Sequence, residues 1–203
     1  MFRSLHMKLT LILLLLITSL MAVVGAFLTV SVSSFYINTF YQQMSDVFGG
    51  ENNSFVFDLR GAAADPEDPA GRVAEILEAR AGSLGVDYRT RNYFVLDGET
   101  GAYISSSADE SVLPRQQSVN LLAARNAVLR QDETAVGDES DITADFMDVA
   151  VPITGGENAF IIYILDNKDT VSGLNSQLFL IIMQALVIGL LISILLSFLL
   201  SKT

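Results

Sequence analysis

Two long uncharged apolar stretches stand near the ends of the chain, with a mixed polar segment between them. No charged residue occurs between Lys8 and Asp46, and the apolar heart of that stretch runs from Leu9 to Val32. A second run, Leu178 to Leu200, lies between Asp169 and Lys202. A helix rises about 1.5 Å per residue, so each run is long enough to cross a hydrocarbon layer of about 30 Å. The pattern predicts transmembrane helices over 9–32 and 178–200, short flanks at 1–8 and 201–203, and one folded domain over 33–177.

Within the domain the periodicity changes. Ile37, Phe40, Met44 and Val47 recur at three- and four-residue steps between polar neighbours, which predicts an amphipathic stalk continuing the first helix. It extends to Gly49-Gly50 or through Leu59, and its stripe serves as a dimer seam, as a face packed on the domain's own sheet, or as both on different faces. After a loop over 61–68, Asp68 suits an N-cap and Pro69 the first helical position. Val73, Ile76, Leu77 and Leu84 form that helix's apolar face, and Gly82 and Gly85 end it. Asn92–Asp97 and Ala102–Ser107 read as a hairpin, with Tyr93 and Val95 on one face and Phe94 and Leu96 on the other. A helix over Ser118–Arg130 and a faint edge strand at Thr134–Val136 follow. Phe146–Ile153 alternates, with Met147, Val149, Val151 and Ile153 on one side. Ala159–Leu165 is almost wholly apolar, the signature of a central strand. Asp169 caps the last helix. This order predicts an α+β domain with an antiparallel sheet of about five strands and flanking helices.

Charge orients the arrangement. All 23 acidic residues and nine of the twelve basic ones lie between Asp46 and Asp169, leaving that interval at −14 against −11 for the chain. Arg3, Lys8 and Lys202 flank the apolar runs on the other side. Basic residues stay cytoplasmic in short flanks, which predicts cytoplasmic termini and an extracytoplasmic domain in a plasma membrane. The competing reading is a cleaved signal peptide with Val24-Gly25-Ala26 at the cleavage site, but the apolar run outlasts a normal signal region. With no cysteine, no disulfide supports the domain, which suits a bacterial surface more than a eukaryotic one. The acidic balance argues against nucleic acid as a partner.

Several segments resemble a known family. Phe2-Arg3-Ser4-Leu5 with Lys8 and the apolar run resembles the start of bacterial two-component sensor histidine kinases, most closely the cell-wall-homeostasis kinases of Gram-positive bacteria. Tyr93-Phe94-Val95-Leu96-Asp97 with Gly101 is similar to the first hairpin of extracytoplasmic PAS-like (Cache, or PDC) sensor domains. Asp148-Val149-Ala150-Val151-Pro152-Ile153 before a glycine-rich turn is similar to their last hairpin. Leu199-Leu200-Ser201-Lys202-Thr203 resembles the lead into a HAMP linker. The resemblance implies a PAS-like domain, a homodimer in the lipid bilayer, an extracellular stimulus (small molecule, wall component or protein), and a cognate response regulator. It also implies ATP and Mg, but in cytoplasmic domains beyond these residues. The only histidine, His6, has no catalytic setting, and no phosphate loop, metal-ligand cluster or activated nucleophile occurs. The chain as given is expected to have no enzymatic activity and no cofactor.

In PAS-like domains ligands lie between a sheet face and the flanking helices and loops. Arg91, Tyr93, Tyr103, Ser105 and Asp148 become ligand-binding candidates by alternation, and Tyr163 because a mid-strand hydroxyl needs a partner. The plainer alternative makes the tyrosines core residues and puts Arg91 and Asp148 in water. The acidic group Asp138, Glu139, Asp141 and Asp145 lacks the spacing of a calcium loop and reads as a solvated loop. In the second apolar run, Ala185, Gly189, Ser193 and Ser197 form a strict four-residue stripe suited to close helix packing, with Ala22, Gly25 or Ala26, and Thr29 as counterparts in the first. Gln184 is expected to face a dimeric four-helix bundle and not lipid. The leading function is the sensing and transmembrane portion of a sensor histidine kinase. The alternatives are the input module of a chemotaxis receptor or nucleotide cyclase, and a non-signalling membrane-anchored scaffold.

Overall fold

The structure is a computed structural model that describes residues 5–49, 53–114, 118–130, 132, 137–138 and 145–202, with the backbone alone at 5–7, 9–10 and 196–202. The chain divides into two compact units, one of Met1–Phe35 with Thr170–Thr203 and one of Tyr36–Asp169.

The 36–169 unit is built on a four-stranded antiparallel sheet. Its strands are β1 (Arg91–Asp97), β2 (Tyr103–Ser106), β3 (Met147–Gly155) and β4 (Asn158–Asp166), in the order β2-β1-β4-β3. The apolar β4 lies in the middle, as its composition requires, because both of its faces are covered. Among the described residues the sheet has four strands, where about five are expected. Thr134–Val136 lie outside the described residues, and next to them only Gly137 pairs with Ala150 on the outer edge of β3. Ala150 spends its outward N–H on that bridge. Pro152, two residues on with its nitrogen on the same edge, has no N–H to extend it.

Helices cover both faces. On one side α1 (Leu5–Phe48) lays Ile37, Phe40, Met44 and Phe48 into the core, joined by Phe55 and Leu59 of α2 (Ser54–Ala63) and Val73 and Leu77 of α3 (Pro69–Ala79). They meet Tyr93, Val95, Val149, Val151, Ile162 and Ile164 of the sheet. The stalk stripe therefore packs on the domain's own sheet. On the other side α5 (Val119–Arg130) sets Leu121, Ala124 and Val128 against Phe94, Leu96, Ile161, Tyr163 and Leu165.

Local chemistry sets the helix ends. Asp68 accepts from the Gly71 N–H at 2.9 Å with Pro69 at N1, as the sequence predicts. That helix stops at Ala79, earlier than expected, and a separate short turn α4 (Ala81–Leu84) ends at Gly85, whose φ of 68° suits glycine. Asn53 closes two helices at once. Its amide donates to Val47 O at 2.6 Å and Gly49 O at 2.8 Å, at the end of α1, while its Oδ1 accepts from Phe55 N at 2.9 Å and Val56 N at 3.3 Å, opening α2. α2 also takes Gly61–Ala63, expected as loop, into its last turn.

The other unit pairs the first part of α1 with α6 (Asp169–Lys202), and both helices are long and apolar enough to cross a membrane. Half-buried positions recur along α1 at Leu14, Ile17, Met21, Gly25 and Thr29, and along α6 at Ile182, Ala185 and Gly189, with Ser193 buried in the same stripe. A Cβ on Gly25 would lie 3.2 Å from Ile182 Cδ1, so this glycine permits the close approach. Asn175 adds a cross-helix hydrogen bond, donating to Ser33 Oγ at 3.0 Å.

Candidate functional site

An open cleft of about 760 Å³ lies on the α5 face of the sheet. Leu96 and Tyr163 rise from the strands, Ser118 and Leu121 contribute from the start of α5, Tyr103 and Gly101 from the β1–β2 hairpin, and Asp109 and Glu110 from the loop between. No lysine or arginine is among the described residues that line it. The volume falls within the range of small-molecule sites.

Beneath the cleft a polar group is buried between α5 and the sheet. Asp148 is only 6% exposed. Its Oδ2 accepts from the Tyr163 hydroxyl at 2.9 Å, and its Oδ1 and backbone O both accept from the Asn120 amide at 2.9 Å. The Tyr163 hydroxyl also lies 3.4 Å from Ser118 Oγ. Burial, followed by the adjacent Asp148 charge, pushes the Tyr163 phenol well above its ordinary value, so it stays a donor at any physiological pH. Tyr163 thus belongs to both the cleft and the buried cluster, and its hydroxyl links the cleft wall to Asp148. Asn120 is absent from the sequence-predicted set. Its signal was present, for it stands in phase with Ala124, Ala127 and Val128 on the buried side of α5.

The six candidates separate onto two faces. Tyr103 and Tyr163 line the cleft, and Asp148 lies directly behind it. Arg91, Tyr93 and Ser105 point to the opposite face. Tyr103 and Ser105 part company because of an irregularity in the hairpin. Leu96 pairs with Tyr103 but Val95 with Ser105, so Ile104 is an extra residue and the alternation slips. Ser105 Oγ is buried with no hydrogen-bond partner among the described residues. The Tyr93 hydroxyl donates to Glu78 Oε2 at 2.9 Å and Tyr88 donates to the other oxygen at 2.9 Å. Burial and then the Glu78 carboxylate raise the Tyr93 phenol's pKa.

Arg91 forms a clasp where β1 begins. Its Nε pairs with Asp166 Oδ2 at 3.0 Å, its Nη1 donates to Gln43 Oε1 at 2.8 Å and Leu84 O at 3.2 Å, and its guanidinium lies 4.8 Å from the Phe40 ring centre. Asp166 Oδ1 in turn accepts from Lys168 N at 3.0 Å, in the turn that leads to α6. One side chain therefore ties α1, the end of α4 and the exit of β4 together.

In the helical unit, Ala185, Gly189 and Ser193 lie on the side of α6 turned to α1 of the same chain, where Gly189 faces Ile17 and Gly25 faces Ile182, while Thr29 is half-buried and Ala22 and Ala26 are exposed. The side chain of Ser197 lies outside the described residues, as do Glu139 and Asp141 of the acidic group. Gln184 is exposed in this chain. Comparison with known protein families, with curated proteins and with solved structures finds no match.

Proposed function

We propose that this chain is the sensing and transmembrane portion of a bacterial two-component sensor histidine kinase, with an extracytoplasmic PAS-like domain held between two spanning helices and both termini in the cytoplasm. One observation carries it. A cleft with a polar floor opens in a folded unit whose first helix and last strand run directly into the two apolar helices α1 and α6. The antiparallel sheet covered by helices on both faces supports the PAS-like assignment, as do the two hairpins that suggested it.

The stimulus in this scheme is a neutral or cationic small molecule. Asp109 and Glu110 border the cleft and no lysine or arginine is among the described residues that line it, a lining that favours a neutral or cationic group over an anion. Occupancy shifts Tyr163 and α5 against the sheet, and the altered domain repositions the two helices for a cytoplasmic kinase to read.

The test joins residues 1–202 to the HAMP and kinase domains of a sensor lacking its own input. Leu121→Trp, which fills the cleft, is expected to change the kinase's set point at unchanged protein level. Unchanged output with Leu121→Trp and with Tyr103→Ala would identify the chain as an anchor or scaffold.

A further inference from the structure

We infer that the face of α6 turned away from α1 is the seam on which a second copy of this chain packs, with Gln184 paired to its own counterpart. This rests on the reading of α1 and α6 as spanning helices. Gln184 stands about 200° round the helix from Ile182, the residue that meets Gly25, so it cannot reach α1 of its own chain. It lies roughly 9 Å along the helix from Leu178, where the apolar run begins, and so within the hydrocarbon. There neither water nor lipid tails can satisfy its amide.

The surroundings of Gln184 say what does. Gly173, Gln177, Leu180, Gln184, Val187, Leu191 and Ile194 follow at alternating four- and three-residue steps, and every one is exposed. That is the seven-residue repeat by which identical helices pack along a shared seam. Gln177 and Gln184 occupy the same place in successive repeats. A partner must therefore present polar groups at matching seven-residue spacing on an apolar helix, and a second α6 related by twofold symmetry does so by construction. An amide carries both donor and acceptor, so two facing Gln184 side chains satisfy each other. The small residues Ala185, Gly189 and Ser193 are occupied by α1 and play no part in this seam.

Single cysteines in the full chain, in native membranes under mild oxidation, test this with Gln184 left in place. Cysteines at Leu180, Val187 and Leu191 are expected to form crosslinked dimers, and those at Ile182, Ala185 and Gly189 to form several-fold less. In the Val187→Cys chain, Gln184→Leu should lower dimer yield about 3- to 15-fold, with most of it restored by Gln184→Asn. Greater crosslinking on the Ala185 side, a flat profile round the helix, or full yield with Gln184→Leu would overturn the seam. Alkaline carbonate washing of the same membranes separates the two ideas. A chain that resists extraction but crosslinks in one of those other ways leaves the spanning reading intact, whereas an extracted chain ends both.

Discussion

Tyr163 shows how a single hydroxyl joins a surface cleft to the interior. Its ring forms part of the cleft, and its oxygen supplies one of the two side-chain hydrogen bonds seen on buried Asp148. Removing one partner of a buried polar group costs more than the bond itself contributed, because the other group keeps its desolvation penalty. Tyr163→Phe is therefore expected to destabilise the domain by about 1–3 kcal/mol, measured by denaturant unfolding of the detergent-solubilised chain. Tyr103→Phe removes only an exposed contact with Ser106 and should change stability by less than about 0.5 kcal/mol. Equal losses would mean that the Asp148 cluster is open to water.

Elements here are joined by a few polar side chains at their ends as much as by apolar faces. Asn53 sets α2 against the end of α1, and Arg91 ties α1 to the exit of β4. The Arg91 side chain is 16% exposed and that of Asp166 is 9%, so their ion pair is shielded from solvent. Arg91→Ala would leave Asp166 with its charge buried and Gln43 short of a partner, costing about 3–5 kcal/mol. Arg91→Lys keeps the charge, but a point ammonium cannot serve Asp166, Gln43 and Leu84 O at once, so it should recover only part of the loss. Paired thermal melts of the two variants check this, and a lysine variant no better than alanine would show that charge is immaterial.

For the whole molecule, the proposed topology follows from basic residues at the flanks and an acidic domain between. The native chain contains no cysteine, so single substitutions report cleanly. Asp46→Cys and Asp169→Cys are expected to react with a membrane-impermeant thiol reagent on intact cells, and Lys202→Cys only after permeabilisation. Reaction at position 202 on intact cells, or a mature N-terminus near Phe27, would replace two spanning helices by another arrangement.

Much of the architecture was legible because it depends on local or one-dimensional patterns. The apolar runs, the two-sided burial of β1 and β4, the Asp68–Pro69 helix start and the alternation of β3 are each set by nearest neighbours and periodicity. The candidate site was only partly legible. Alternation placed Tyr103 and Ser105 together until one extra residue in the hairpin separated them. Arg91 and Asp148 are both polar strand residues, and nothing local tells a structural clasp from the floor of a cleft. That distinction depends on Gln43, 48 residues away from Arg91, and on Asn120, 28 away from Asp148. The small-residue stripe shares this history, since spacing showed that α6 could pack closely but not against which helix. Hydrophobic periodicity determined which faces are buried. Only the tertiary structure decided what each polar group met there, because a hydrogen bond requires its partner within about 3 Å and sequence distance does not encode that.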